Sequence, residues 1–93
     1  MDYQIEHTGI PEGGRFYIKT ADRDLAEMTY MIRHKLMIIN HTEVDDLLRG
    51  KGIGKNLVIR GIEYARENGL KILPLCSYAG HIINRNPAFH DVL

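Results

Sequence analysis

The residues best suited to chemistry form one short run, Arg49-Gly50-Lys51-Gly52-Ile53-Gly54-Lys55, with three glycines and three cations in seven positions. Glycine lets a backbone turn sharply and approach a ligand with no Cβ in the way. If a helix opens at the end of this run, its first amides lack internal partners and lie at the positive end of the helix dipole. A diphosphate fits that arrangement, with Arg49, Lys51 and Lys55 adding charge from the sides. A nucleotide P-loop, G-x-x-x-x-G-K-[ST], fails twice, because position 49 is Arg and position 56 is Asn. The dinucleotide fingerprint G-x-G-x-x-G also fails, since Lys55 stands where the third glycine should follow Gly50 and Gly52. The plain alternative is a flexible glycine turn ahead of a core helix.

Cys76, His41, Glu43, Tyr78 and His81 are the other side chains with chemical capacity. Cys76 is the only cysteine, so an intramolecular disulfide and a zinc site built on several thiolates are both excluded. It can equally be a small buried hydrophobe. Strand alternation places His41 and Glu43 on one face and Thr42 on the other. A strand histidine is often merely exposed, Glu43 can be solvated, and Tyr78 can be a core aromatic. His7, His34 and His90 show no ligand spacing, and no metal site is expected.

The elements that must carry these residues change character near the glycines. Tyr3–His7 alternates with the period of two expected of a half-buried strand. Gly9, Pro11, Gly13 and Gly14 read as a turn cluster, followed by a second strand at Arg15–Lys19. Residues 21–24 read as another turn, and Leu25–Ile32 as a third strand. A tight turn near Arg33-His34-Lys35 then leads to a fourth strand, Leu36 to about Val44, supported by β-branched Ile38, Ile39, Thr42 and Val44. A helix through Met28–Leu36 is the competing reading. From Gly54 onward Leu57, Val58, Ile62 and Ala65 recur at helical steps, and Gly69 offers a left-handed stop. Leu70–Cys76 reads as a buried strand whose Pro74 suits an edge or a parting of strands. Tyr78–Asn84 reads as a short helix that Pro87 ends.

The composition is that of one ordinary globular domain over residues 1–93, with 44% hydrophobic and 26% charged residues. Lys+Arg and Asp+Glu are 12 each, so the formal net charge is zero. That balance argues against nucleic acid, whose phosphates demand a basic excess. The N-terminus lacks a signal-peptide layout, and no apolar run approaches the roughly 20 residues of a membrane span. A reducing interior such as the cytoplasm fits one free cysteine.

A family resemblance rests on several motifs in order. Arg49, Gly52 and Gly54 meet R/Q-x-x-G-x-G/A, the coenzyme A diphosphate loop of the GCN5-related N-acetyltransferases. His41-Thr42-Glu43-Val44, residues 49–54, residues 64–71 and Pro74-Leu75-Cys76-Ser77-Tyr78 together resemble a small, single-domain subfamily of these proteins. The resemblance covers about Glu27 to Asp91. It implies a truncated α/β (α+β) fold: a mostly antiparallel sheet of about five strands, a central coenzyme A-binding helix and a short C-terminal helix.

The same resemblance implies acetyl-coenzyme A as donor substrate. Thr42 and Val44 would meet the pantetheine arm, and Arg49, Gly50, Lys51, Gly52, Ile53, Gly54 and Lys55 would cradle the diphosphate. A backbone amide among residues 41–44, aimed at the thioester oxygen, would stabilise an oxyanion. Ser77, Tyr78 and His81 would line the donor site. Cys76 would lie at the acetyl end, as nucleophile, as acid toward the departing thiolate, or as filler. His41, ahead of Glu43, would take the proton of an incoming amine.

Full-size relatives insert two helices after the first strand, and Thr8–Gly14 is too short for them. An open site would suit a protein lysine, a polyamine or a small amine. It would equally suit a non-catalytic acyl-coenzyme A binding or sensing module. A monomer is compatible with either reading.

Overall fold

The computed structural model describes residues 3–93. β1 (Glu6–Ile10), β2 (Gly13–Lys19), β3 (Asp24–Arg33) and β4 (Leu36–Val44) pair antiparallel in chain order. A 3-10 turn at Asp46–Leu48 leads to α1 (Ile53–Glu67), and β5 (Lys71–Pro74) then pairs parallel to β4. The chain closes with α2 (Ser77–Arg85) and a second 3-10 segment, Pro87–Val92. The sheet is five-stranded, in the order β1-β2-β3-β4-β5. This is the mixed architecture that the resemblance implies.

Local chemistry accounts for the strands. His34 and Lys35 both adopt left-handed backbone (φ 51° and 62°), which closes the β3–β4 hairpin in two residues. Within β3, Leu25, Ala26, Met28 and Tyr30 are buried, and from Ala26 to Tyr30 burial alternates. That period of two excludes the competing helix over Met28–Leu36.

α1 lays Ile53, Leu57, Val58, Ile62 and Ala65 on the sheet, and Gly69 (φ 65°) ends it as expected. The sheet contributes Phe16, Ile18, Met28, Tyr30, Met37 and Ile39 to the same core, with Ala79 and Ile83 from α2 and Val92 from the last turn. Among the described residues no helix covers the opposite face, where Arg15, Thr29 and His41 stand in one row across three strands.

Three expectations need correction. β1 lies three residues later than the alternation of Tyr3–His7 suggests, and only Pro11-Glu12 form the turn. Gly9, Gly13 and Gly14 belong to the ladder. Gly9 faces Gly14 in register, and Cβ atoms there would sit 3.0 Å and 2.9 Å from the Tyr30 hydroxyl. The glycine pair makes room for a phenol that contacts His7 Nε2 at 2.5 Å.

β5 is shorter than residues 70–76, and within it only Ile72 is buried, so it is an edge strand and not a buried one. Pro87 does end α2, but the chain continues as a second 3-10 segment. Arg66 clamps that segment through Asp91 (3.0 and 2.7 Å) and the Ala88 carbonyl (2.8 Å).

Candidate functional site

The glycine loop is held at both ends. Leu48 before it and Ile53 after it are core residues, while Arg49 to Gly52 are exposed. Gly50 and Gly52 take φ of 77° and 73°, a region costly for residues with a Cβ. Nothing lies within 4 Å of where their Cβ atoms would be, so the space above the loop is open. Gly52 caps α1 without a side chain, and no acidic residue occupies the first turn. Asn56 is the first residue to bond back, to the Gly52 carbonyl at 3.0 Å. The amides of residues 53–55 therefore have no intrahelical partner and remain available to an anion. Arg49 stands at the rim, its Nε 2.8 Å from Asp46 Oδ1, with both side chains exposed.

Gly54 has a different reason to be glycine. A Cβ there would lie 2.7 Å from the Tyr78 hydroxyl and 2.9 Å from its ring carbons. Tyr78 thus packs its phenol against the first turn of α1, bringing the start of α2 to the loop. Ser77 opens α2 beside it, exposed.

Beside this loop the sheet parts. The β4–β5 register ends at Ile39↔Pro74, and the amides of Leu75 and Cys76 both converge on the Ile39 carbonyl (2.9 and 3.0 Å). β4 continues to Val44 without a partner on that side among the described residues. A register shift against β3 at the same level leaves Asn40 as an extra residue between Ile39 and His41. The bulge resets the alternation, so Ile39 faces the core while Asn40 and His41 are both exposed. Val44, half-buried, packs back against the core.

Cys76 lies at the fork. Its Sγ is 3.5 Å from Thr42 Oγ1, a contact between β4 and the start of α2. Burial pushes the thiol up, but the Ala79 amide, the Thr42 hydroxyl and the amides of Tyr78 and Thr42 outweigh it and hold the pKa below the ordinary thiol value. They favour the anion at a helix N-terminus.

His41 and Glu43 share a face as the alternation predicts, with Nε2 and Oε2 3.3 Å apart and both side chains exposed. That face is the open one, opposite to Thr42. Among the described residues no hydrogen bond joins either of them to Cys76. Glu43 borders a hollow of about 160 Å³ lined also by Arg23, Asp24, Leu25, Ala26, Glu27 and Asp45.

The structure therefore gathers Thr42, Cys76, Tyr78 and the glycine loop on one side of the fork, with His41 and Glu43 across the sheet. His81 lies farther along α2 and accepts a bond from Arg85 Nη1 at 3.0 Å. The thiol-directed role of Thr42 was not legible in the sequence, nor was the place of Arg85. The only local signal for Arg85 is its four-residue step from His81.

An open helix N-terminus beside a strand fork that holds a thiol is also the ground on which known proteins can be compared. The profile of the GCN5-related N-acetyl-transferases matches residues 15–92, most of the chain. The chain belongs to that family. A GCN5-like protein from Staphylococcus aureus, solved in solution, is 38% identical with a TM-score of 0.76, covering 97% of this chain and 86% of that one. Protein NATD1 of Xenopus tropicalis is 34% identical over 65 residues, 69% of this chain and 60% of its own length. The human protein NATD1 is 32% identical over the same share of this chain. This chain thus spans about three fifths of the length of these curated relatives. A Bacillus anthracis structure in complex with acetyl coenzyme A shares the fold at a TM-score of 0.60, with 18% identity over 71% of this chain and 39% of that one.

No helix among the described residues of this acetyltransferase-family chain is long and apolar enough to cross a membrane.

Proposed function

We propose that the protein binds acetyl-coenzyme A and transfers its acetyl group to an amine. The observation that carries this reading is the fork between β4 and β5, which opens beside an uncapped helix N-terminus and has Cys76 at its base. The diphosphate rests on the amides of residues 53–55, and the pantetheine arm lies along the unpaired edge of residues 40–44. That path brings the thioester to Cys76.

A thiol held below its ordinary pKa suits attack on the thioester better than donation of a proton. The Cys76 sulfur forms a bond to the acetyl carbon, the bond from that carbon to the coenzyme sulfur breaks, and coenzyme A leaves as a thiolate that takes up a proton. The acceptor nitrogen then attacks the acetyl carbon, gives its proton to solvent and releases the Cys76 thiolate; His41, on the opposite face of the sheet, takes no part in this step. Amines are cations before they lose that proton. The acceptor is such a group on a protein lysine, a polyamine or a small amine. A reducing compartment such as the cytoplasm keeps the thiol free.

Titration with acetyl-coenzyme A, followed by mass spectrometry of the intact chain, tests the reading. Binding with one acetyl added on Cys76, absent in Cys76→Ala, is expected. Failure to bind at millimolar ligand overturns the proposal. The uncovered sheet face and the two-residue β1–β2 turn favour a second reading, a non-catalytic acyl-coenzyme A module. Binding without label or transfer to any amine selects it.

A further inference from the structure

The ground prepared for an anion does not stop at the glycine loop. Between the first turn of α1 and the outer half of α2 lies a hollow of about 410 Å³ lined by Lys55, His81, Ile82, Arg85 and Asn86. No carboxylate is among those residues. Elsewhere Arg15, Arg23, Arg49 and Arg66 are each matched with an acidic side chain. Lys55 and Arg85 make no such pair among the described residues. Because an arginine can only donate, the 3.0 Å contact from Arg85 Nη1 makes His81 Nε2 the acceptor and anchors the guanidinium at the hollow. The remaining guanidinium donors stay free for a ligand.

Lys55 belongs to both places, since its amide is one of the open first-turn donors and its side chain lines the hollow. A ligand whose diphosphate sits on those amides and which carries a second anion one sugar away meets both. We propose that this hollow takes the 3′-phosphate of coenzyme A, with Arg85 as the residue that distinguishes the coenzyme from its 3′-dephospho form. This rests on the coenzyme A reading above. A phosphomonoester carries close to two charges at neutral pH, and a guanidinium offers it a fixed fork of donors. His81 acts as a positioning residue by holding that fork in place.

The test is calorimetric titration of the full chain, native and Arg85→Gln, with coenzyme A and with 3′-dephospho-coenzyme A. The native chain is expected to bind coenzyme A about tenfold tighter or more, the scale of one charge-assisted contact. Arg85→Gln should bring coenzyme A down toward its dephospho form and leave the dephospho affinity within about twofold, as one such contact implies. His81→Ala should narrow the preference partially, and added salt should narrow it in the native chain. Equal binding of the two ligands by the native chain overturns this inference alone. So does an Arg85→Gln loss that is the same for both ligands. If neither ligand binds, the coenzyme A reading falls together with it.

Discussion

Replacing Gly54 by alanine isolates a contact that joins the loop to the C-terminal half of the site. The family's loop accepts alanine at this position, and the backbone of Gly54 is helical, so no positive-φ penalty applies. Alanine in a helix is favoured over glycine by up to about 1 kcal/mol. In this chain, however, the added Cβ would lie 2.7–2.9 Å from the Tyr78 phenol, closer than real carbon contacts allow. Overpacking generally costs about 1–3 kcal/mol. Because Tyr78 is 42% exposed, its ring can swing toward water, which places the expected loss near the lower end.

Gly54→Ala should therefore destabilise the native chain slightly or leave it unchanged. In a Tyr78→Ala background the same change should stabilise it. The coupling between the two positions should be about 1–2 kcal/mol, inside the roughly 0.5–3 kcal/mol found for residues in contact. Urea unfolding of the four proteins measures this, provided the denaturant slope is constant across them. The reasoning is refuted if Gly54→Ala has the same sign and size in both backgrounds, within about 0.3 kcal/mol. A companion readout is the Tyr78 ring resonance, which should move in Gly54→Ala.

Thr42→Val removes the hydroxyl beside Cys76, so the thiol pKa should rise and iodoacetamide labelling at neutral pH should slow; an unchanged labelling profile refutes the arrangement. His7 is held below its ordinary 6.5, first by burial and then by the nearby charge of Arg60. The unfolded chain therefore takes up the proton first, and the stability that neutral His7 contributes is present above pH 6.5 and lost as pH falls through the folded value. Thermal melts of His7→Phe should lose this slope; an identical slope in both proteins counts against it. Asp91 is held below the ordinary carboxylate value of 3.8, chiefly by the Arg66 guanidinium. Its contribution is present above that value and lost as pH falls through the lower folded one, so acid unfolding of Asp91→Asn below about pH 4 should be less steep. Indistinguishable acid limbs would remove the Arg66 clamp from the account.

Much of the scaffold was legible because it rests on local periodicity. Leu57, Val58, Ile62 and Ala65 announced α1, and the left-handed φ of Gly69 appeared where a stop was expected. The β-branched run of β4 and the turn at His34-Lys35 were likewise readable. The glycines on either side of the β1–β2 turn misled, since Gly9 and Gly14 serve a phenol that arrives from β3, and no local window contains that partner. Leu73 and Leu75 made β5 look buried, although both are exposed on an edge that no later element covers.

The sequence alone determined the chemical inventory and its order: a glycine loop with cations, one cysteine, and a His-x-Glu pair on a strand. It also determined that the loop would meet a helix start, because capping and dipole effects depend only on neighbours in the chain. The tertiary structure decided which of these groups meet. The bulge at Asn40 and the end of pairing at Pro74 turn Thr42 toward Cys76 and His41 away from it. The approach of α2 to α1 joins Tyr78 to Gly54, and Lys55 to His81 and Arg85. The Cys76–Thr42 contact spans 34 positions, and its geometry follows from sheet register and helix packing. Neither of these is written in any single stretch of residues.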